Sequence, residues 1–170
     1  MKFILINGSS CSGKSTIVRN ILTQGEHLFH LSYDSLKWSF SQYSPNKQFT
    51  DVQSVMLSVA ETVFTLKYDV ICDSGLFKEW REKLINLAEK HGYEILEINL
   101  EADPETLSKR FNERMQEAQI HPERKISNLS KERFMELCEI YQKEKNPSAI
   151  VLRTDQQTIE KTVEDILKIF

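Results

Sequence analysis

The stretch Gly8-Ser9-Ser10-Cys11-Ser12-Gly13-Lys14-Ser15 decides how this 170-residue sequence is interpreted. It matches the pattern G-x-x-x-x-G-K-[ST] at every fixed position, and this pattern is typical of loops that bind nucleotide phosphates. Glycines let successive backbone N–H groups turn toward an anion, and the following helix adds the positive end of its dipole. In such a loop Lys14 reaches the β- and γ-phosphates, and Ser15 offers its hydroxyl to Mg²⁺.

The surroundings of this loop decide between a phosphate site and a plain glycine turn before a helix. A continuous apolar run, 2–7, precedes the loop and predicts a buried strand, and an amphipathic run, 14–24, follows it and predicts a helix. Strand, loop and helix in this order are what the phosphate-binding motif requires. The residues predicted to bind the nucleotide are Gly8, Ser9, Ser10, Cys11, Ser12, Gly13, Lys14, Ser15 and Thr16.

Outward from the loop, short apolar runs alternate with longer amphipathic runs along the whole chain. The predicted strands are 2–7, 28–32, 69–73, 93–100 and 149–152. The predicted helices are 14–24, 50–66 with a capping box of Thr50 and Gln53, 79–91, one that starts at Asp103-Pro104, 130–143 and one from 159 onward. Strands separated by helices predict right-handed crossovers and a parallel sheet, with ligands beyond the carboxyl ends of the strands.

Composition and charge narrow the class of protein. With 40% apolar and 28% charged residues, we expect one ordered domain over 1–170. The net charge of −3 gives no overall attraction to nucleic acid or anionic membrane. No apolar stretch reaches the roughly 20 residues of a membrane helix, and the first apolar run is too short for a signal peptide. Three widely spaced cysteines predict reduced thiols in a cytoplasmic protein.

Three segments carry a resemblance to a known group of enzymes. The segment 7–15, then Asp34-Ser35-Leu36, then Val70-Ile71-Cys72-Asp73 resemble the small P-loop kinases of the nucleoside monophosphate kinase-like superfamily. The chloramphenicol phosphotransferase-like and polynucleotide kinase-like members are the most similar, over most of the chain in element order. The resemblance implies an α/β, three-layer α/β/α P-loop NTPase fold with a five-stranded parallel sheet and a helical lid. It also implies ATP as phosphate donor and Mg²⁺.

Two acids follow predicted strands and carry the next predictions. Asp34 lies in the position where the resembling phosphotransferases place an acid against the acceptor hydroxyl, and a carboxylate there can take the hydroxyl proton. The alternative for Asp34 is a helix N-cap. Asp73 ends the third strand, where an acid holds Mg²⁺, often through water, together with Ser15. Some of these kinases use the acid after the third strand on the acceptor instead. The base is therefore either Asp34 or Asp73.

Side chains after Asp34 are candidates for binding the acceptor. Lys37 lies three residues on and is predicted either to hold a polar acceptor or to be solvated. The aromatic residues Trp38, Phe40 and Tyr43 are predicted either to line an acceptor pocket or to pack in the core.

Two arginines predict the lid. Arg110 and Arg114 are four residues apart and therefore share one helix face. They enter a polar stretch that resembles a kinase lid, placed at about 110–129 and including Arg124. The resemblance implies that the first arginine packs on adenine and the later ones clamp the transferring phosphoryl group. The alternative is a solvated helix face. The Arg-Gly-Asp-Arg stretch of chloramphenicol phosphotransferases is absent, which argues against chloramphenicol as substrate.

Together these patterns predict an ATP-dependent kinase that moves the γ-phosphate of ATP to a hydroxyl of a small molecule or of a nucleic-acid end. An acidic pI of about 5.9 disfavours long nucleic acid. No Asn-Lys-x-Asp segment indicates a GTPase. The alternatives are a non-catalytic nucleotide-binding regulatory module and a nucleoside or nucleotide kinase. A phosphate-bearing acceptor would require an arginine cluster, which Arg19 and Arg81 do not form. Monomer and homodimer both stay open.

Overall fold

The computed structural model describes residues 1–74, 77–121 and 129–169. Within these ranges the chain forms five strands and seven helices. Their order is β1 (Lys2–Asn7), α1 (Lys14–Leu22), β2 (Leu28–Leu31), α2 (Tyr33–Lys37), α3 (Pro45–Thr65), β3 (Asp69–Cys72), α4 (Lys78–Lys90), β4 (Glu94–Glu101), α5 (Pro104–Ile120), α6 (Lys131–Glu144), β5 (Ile150–Arg153) and α7 (Ile159–Leu167).

All five strands lie parallel in one sheet of order β2-β3-β1-β4-β5. The central strand β1 pairs with β3 on one side, where Leu5 lies opposite Cys72, and with β4 on the other, where Leu5 lies opposite Glu97. The chain leaves β1 directly into the phosphate-binding loop, so the loop lies at the carboxyl edge of the sheet. The predicted α/β fold with a five-stranded parallel sheet is confirmed.

The two faces of the sheet bury separate cores. Successive side chains of a strand point to opposite faces, and in β1 this places Phe3 and Leu5 in a cluster with α3 and α4. Ile4 and Ile6 enter the other cluster, with α1 and α7. All four side chains are fully buried. Burial on both faces explains why β1 reads as a continuous apolar run instead of an alternating one.

A third, smaller cluster joins α5 to α6 beside the phosphate-binding loop. Its buried members are Leu107, Phe111 and Phe134. The Phe111 and Phe134 rings stack with centroids 4.4 Å apart and an interplanar angle of 21°. Asp103 caps α5 and Ser130 caps α6 through their side chains, as the sequence predicts. Helix α5 extends into the predicted lid as far as Ile120, and the predicted lid residues 122–128, including Arg124, lie outside the described residues.

One predicted helix start is wrong. Helix α3 begins at Pro45, not at Thr50, because Ser44 and Pro45 supply the N-cap and first helical position. The Gln48 side chain accepts a hydrogen bond from the Ser44 N–H at 2.8 Å. Thr50 lies inside the helix, where its carbonyl accepts the Ser54 hydroxyl. Among the described residues, no helix combines the length and apolar character needed to cross a membrane.

Candidate functional site

The phosphate-binding loop requires both of its glycines. A Cβ atom on Gly8 would lie 2.3 Å from Ser12 Oγ and 2.7 Å from the carbonyl oxygen of Leu100. Gly13 has a φ of 98°, a conformation that L side chains rarely adopt, and it is the N-cap of α1 without a side-chain hydrogen bond. Because no side chain caps α1, the amide groups at its start, around Lys14 and Ser15, can face an anion.

Lys14 lies at the centre of this loop. Its Nζ donates to the carbonyl oxygens of Gly8 at 2.8 Å and of Ser9 at 2.9 Å. Burial lowers the pKa of Lys14, and the negative charges of Asp73 and Asp34 act in the opposite direction. The structure thus brings the predicted phosphate-binding lysine within electrostatic range of both predicted acids.

Asp73 follows β3 and is held in a polar niche. Its side chain is 8% exposed, and His30 Nε2 lies 3.3 Å from its Oδ1, a contact that does not satisfy hydrogen-bond geometry. Burial raises the pKa of Asp73, but His30, Lys14 and Ser32 lower it, and the net pKa is below the usual value. The carboxylate is therefore the stable form. The sequence analysis missed His30, because a histidine in a strand has no local signal of what lies opposite it.

Asp34 lies in the first turn of α2, beyond the carboxyl end of β2. Ser32 caps this helix by accepting the Ser35 N–H at 3.4 Å, so the alternative role of Asp34 as N-cap is wrong. The Asp34 side chain is 64% exposed. Lys37 is only 12% exposed; its Nζ lies 2.5 Å from Asp34 Oδ1 and 4.9 Å from the centroid of the Trp38 ring. Lys37 is thus a largely buried partner of Asp34 and not a solvated lysine.

An aromatic cluster lies beside Asp34. The Tyr33 and Tyr43 hydroxyl oxygens are 2.7 Å apart. The ring centroids of Tyr33 and Phe49 are 5.5 Å apart, and Phe49 packs edge-on against Phe77 with centroids 5.7 Å apart. Burial raises the pKa of Tyr33, and the hydrogen bond with Tyr43 adds to this. Of the three aromatic residues that the sequence singles out, Tyr43 belongs to this cluster, Phe40 is half-buried and Trp38 is 41% exposed.

The two predicted lid arginines face the phosphate-binding loop. Arg110 donates to the Thr154 hydroxyl at 3.0 Å, to the Thr154 carbonyl at 2.7 Å and to the Cys11 carbonyl at 3.5 Å. The Thr154 hydroxyl in turn lies 3.0 Å from the Ser12 carbonyl. Arg114 is half-buried and acts electrostatically on Lys14. Thr154 directly follows β5, and its side chain joins that loop to the phosphate-binding loop, a link that the sequence analysis missed.

A buried ion pair fixes the arginine that follows β3. Arg81 Nε lies 3.3 Å from Glu97 Oε2, with the side chains 6% and 13% exposed. Arg81 also donates to the Glu144 carbonyl at 2.9 Å. Glu97 accepts a further hydrogen bond from Asn146 at 2.8 Å. Arg81 therefore joins α4 to β4 and to the end of α6, where its charge is already balanced.

The predicted magnesium ligands are chemically suited to that ion. Ser15 offers an exposed hydroxyl, and Asp73 offers a carboxylate whose pKa favours the charged form. Mg²⁺ prefers oxygen ligands and is usually held by one or two protein groups together with phosphate oxygens and water. Residues 1–74, 77–121 and 129–169 contain no group of three or more His, Cys, Asp or Glu side chains placed to hold a metal. Ser15 and Asp73 fit a magnesium that also binds the nucleotide.

Comparisons with known proteins agree with this architecture. A family model described as "AAA domain" matches residues 3–137. No curated protein matches the sequence.

Several solved structures share the fold over nearly the whole chain. Kti12 of Chaetomium thermophilum, in complex with ADP-AlF3, is 17% identical with a TM-score of 0.70 and covers 98% of this chain and 97% of its own. The Mycobacterium tuberculosis APS kinase CysC, with AMPPNP and APS, is 18% identical with a TM-score of 0.66 and covers 99% and 96%. A sugar kinase from Janibacter sp. HTCC2649 is 17% identical with a TM-score of 0.64 and covers 99% and 93%. These neighbours confirm the predicted P-loop fold of small kinases.

Proposed function

The chain belongs to the family described as AAA domain, and from that membership and the geometry of its site we propose that it is an ATP-dependent phosphotransferase. It transfers the γ-phosphate of ATP to a hydroxyl group of an acceptor, with Mg²⁺. The single domain spans 1–170, with a lid at about 110–129, and the protein acts in the cytoplasm as a monomer or homodimer.

The observation that carries this proposal is the convergence of charged groups at the carboxyl edge of the sheet. Lys14, Asp73, Asp34 and Arg114 come from four separate parts of the chain, and the charges of the other three all act on Lys14 in the phosphate-binding loop. A loop that only bound a phosphate would need Lys14 and its amides. The two acids and the second cation are the additional groups that phosphoryl transfer uses.

The donor side stabilises charge on the transferring group. The amides of the loop and of the first turn of α1 receive the phosphates, and Lys14 exchanges its bonds to the Gly8 and Ser9 carbonyls for phosphate oxygens. Arg114 adds a second positive charge near Lys14. Ser15 and Asp73 hold Mg²⁺, which neutralises charge on the phosphates when it is bound. Preorganised charges of this kind commonly supply the largest part of the rate enhancement.

The acceptor side supplies a base. Asp34 accepts or orients the hydroxyl proton of the acceptor, because its carboxyl group is exposed and lies within electrostatic range of Lys14. Lys37 fixes the position of the carboxylate through its contact with Oδ1. Asp73 is the other candidate base. Because the nearby His30 lowers the pKa of Asp73, this carboxylate is better suited to hold Mg²⁺ than to take a proton.

Two features bear on the class of acceptor. Arg81, which follows β3 on the acceptor side, is already balanced by Glu97, so it does not supply charge for a phosphate monoester. The partly exposed aromatic cluster of Tyr33, Tyr43, Phe49 and Phe77 offers ring surfaces near Asp34. These features favour an uncharged hydroxyl compound over a nucleotide, and the net charge of −3 disfavours a long nucleic acid.

A nucleotide-binding regulatory module is the second candidate. The Lys37 Nζ lies 2.5 Å from Asp34 Oδ1, so this carboxylate oxygen already has a partner before any acceptor binds. This candidate predicts ATP binding without transfer to any acceptor.

Transfer of the labelled γ-phosphate of ATP, with Mg²⁺, to pooled hydroxyl acceptors tests the proposal. The pool contains nucleosides, sugars, aminoglycosides, chloramphenicol and 5′-OH oligonucleotides, and each product is separated by chromatography. We expect label in one acceptor class, lost with Asp34→Asn while ATP affinity is retained. Tight ATP binding with no label in any acceptor would favour the regulatory module.

A further inference from the structure

The Ser74 hydroxyl connects the segments that follow two neighbouring strands. The pairing of β2 with β3 extends to Leu31 opposite Cys72. Two residues further along each segment, the Tyr33 N–H donates a hydrogen bond to Ser74 Oγ at 2.8 Å. A side-chain hydroxyl thus continues the link between the two segments beyond the last paired residues of the strands.

On one side, Ser74 supports the start of α2, the helix that carries Asp34. Tyr33 is the first residue of this helix, and its N–H is one of the groups that a helix N-terminus leaves without an intrahelical partner. The Ser32 side chain caps a different group, the Ser35 N–H. Ser74 therefore supplies the hydrogen-bond acceptor for the Tyr33 N–H, and the placement of α2 depends in part on it.

On the other side, the same hydroxyl donates to the Asp73 carboxylate. Ser74 Oγ lies 3.3 Å from Asp73 Oδ1. A backbone N–H can only donate and a carboxylate can only accept, so the single proton of the Ser74 hydroxyl goes to Asp73. His30 Nε2 lies equally far from Oδ1, at 3.3 Å, but without hydrogen-bond geometry. Ser74 thus gives Oδ1 a directed hydrogen bond, which the His30 contact does not.

We propose that Ser74 is a positioning residue, which orients the Asp73 carboxylate for Mg²⁺ and ties it to the helix that carries Asp34. This inference rests on the proposed function, in which Asp73 holds Mg²⁺ together with the nucleotide. A hydrogen bond to a metal-binding carboxylate fixes the direction of its oxygens, and loss of such a partner commonly weakens metal binding by about 10–100-fold. The role of Ser74 is indirect, because it acts through Asp73 and α2.

Removal of the Ser74 hydroxyl has two separable effects. The Tyr33 N–H loses its acceptor, which lowers the melting temperature whatever the function of Asp73. The Asp73 carboxylate loses a directed hydrogen bond, which weakens the nucleotide binding that depends on Mg²⁺. A nucleotide bound without Mg²⁺ depends on the loop amides and Lys14 instead, so its affinity should not change.

The experiment measures, by calorimetry, the Kd of the full-length protein for the ATP analogue AMPPNP in Mg²⁺ and in EDTA. For Ser74→Ala we expect a Kd about tenfold weaker than that of wild type in Mg²⁺, and within about twofold of wild type in EDTA. Ser74→Thr keeps the hydroxyl and should restore most of the affinity in Mg²⁺. The matched control is Ser35→Ala, which removes an exposed hydroxyl from α2, keeps the N–H that Ser32 caps, and should bind as wild type does.

Circular dichroism checks that each variant is folded at the assay temperature. If Ser74→Ala is not folded, Ser74→Cys takes its place, because a thiol is close to a hydroxyl in size but is a weak donor, and the loss should have the same direction. An unchanged Kd in Mg²⁺ would overturn the inference. An equal loss in Mg²⁺ and in EDTA would overturn it as well, since the hydroxyl would then only support the fold. A loss in Ser35→Ala as large as in Ser74→Ala would assign the effect to α2 in general.

Asp73→Asn separates this inference from the proposed function. If Asp73→Asn loses affinity in Mg²⁺ but Ser74→Ala does not, the positioning role of Ser74 fails and the magnesium role of Asp73 stands. If Asp73→Asn binds AMPPNP normally in Mg²⁺, the magnesium role fails and the inference fails with it. Because the readout is binding of a nucleotide analogue, neither result depends on finding the acceptor.

Discussion

In the proposed function the site has a donor half and an acceptor half, and the two are held to very different degrees. The donor half, formed by residues 8–16 with Arg110 and Thr154, is fastened by hydrogen bonds from Lys14, Arg110 and Thr154 to the loop carbonyls. The acceptor half, formed by α2 and the cluster of Tyr33, Tyr43, Phe49 and Phe77, carries an Asp34 side chain that is 64% exposed. A triphosphate is the same in every ATP-using protein, so we expect its site to be preorganised, whereas we expect the acceptor half to vary with the individual substrate.

The largest expected difference between the two halves comes from replacing one lysine in each half by methionine. Lys14→Met should reduce phosphoryl transfer by about 10³-fold, because a preorganised charge on the transferring group is lost. Lys37→Met should cost about tenfold, since the lysine acts only through Asp34. Steady-state kinetics on the acceptor found by the labelling assay measures both. Equal losses in the two variants would contradict the distinction between the halves.

The next effect concerns Asp34 itself. Asp34→Asn should lower kcat by about 10²-fold, because the acceptor hydroxyl loses its proton acceptor. The Kd for ATP, measured by calorimetry, should stay within about twofold of wild type, since Asp34 lies on the acceptor half. Asp73→Asn is the contrasting variant, in which the Mg²⁺ dependence of ATP binding should change as well. If Asp34→Asn weakened ATP binding as much as transfer, the residue would belong to the donor half.

A smaller effect tests how the donor half is fastened. Thr154→Val removes the hydroxyl that lies between Arg110 and the Ser12 carbonyl, at 3.0 Å from each. We expect the free energy of unfolding to fall by about 1–2 kcal/mol, because the Arg110 and Ser12 groups lose a partner. Urea unfolding followed by circular dichroism measures this. Ser108→Ala, which removes an exposed helical hydroxyl bonded to the Pro104 carbonyl, should change stability by less than about 0.5 kcal/mol.

The distance along the chain over which each feature is determined explains which features could be predicted from the sequence. Strand β1, the phosphate-binding loop and the Asp103 cap were predicted because each depends on neighbours within a few residues. The start of α3 was misplaced because Thr50 and Gln53 mimic a cap inside a helix that Pro45 begins. The spacing of Thr50 and Gln53 therefore predicted the start of α3 at Thr50 instead of Pro45.

Long-range pairs lay beyond the reach of the sequence. The contact of His30 with Asp73 and the Arg81–Glu97 ion pair join parts of the chain far apart in sequence. Helix or strand periodicity does not reveal which residues form such pairs. The sheet order and the packing of the helices bring the partners together. The role of Thr154 was hidden for the same reason, since its partner Ser12 lies in the first loop.

The smallest predicted effect is a pH dependence that isolates Asp73 at the boundary of the two halves. Its pKa in the folded protein lies below the usual value, so the unfolded chain binds more protons near and below pH of about 4. The resulting stability is present above that pH and is lost as the pH falls through the folded pKa. Urea unfolding at several pH values should therefore give a shallower acid decline for Asp73→Asn than for wild type. Glu79, an exposed acid that pairs with Lys83 on α4, supplies the control variant Glu79→Gln, which leaves Asp73 intact and should keep most of the wild-type slope. Parallel acid declines in Asp73→Asn and wild type would mean that His30 and Lys14 do not hold the carboxylate ionised, and the assignment of Asp73 to Mg²⁺ would lose its electrostatic basis.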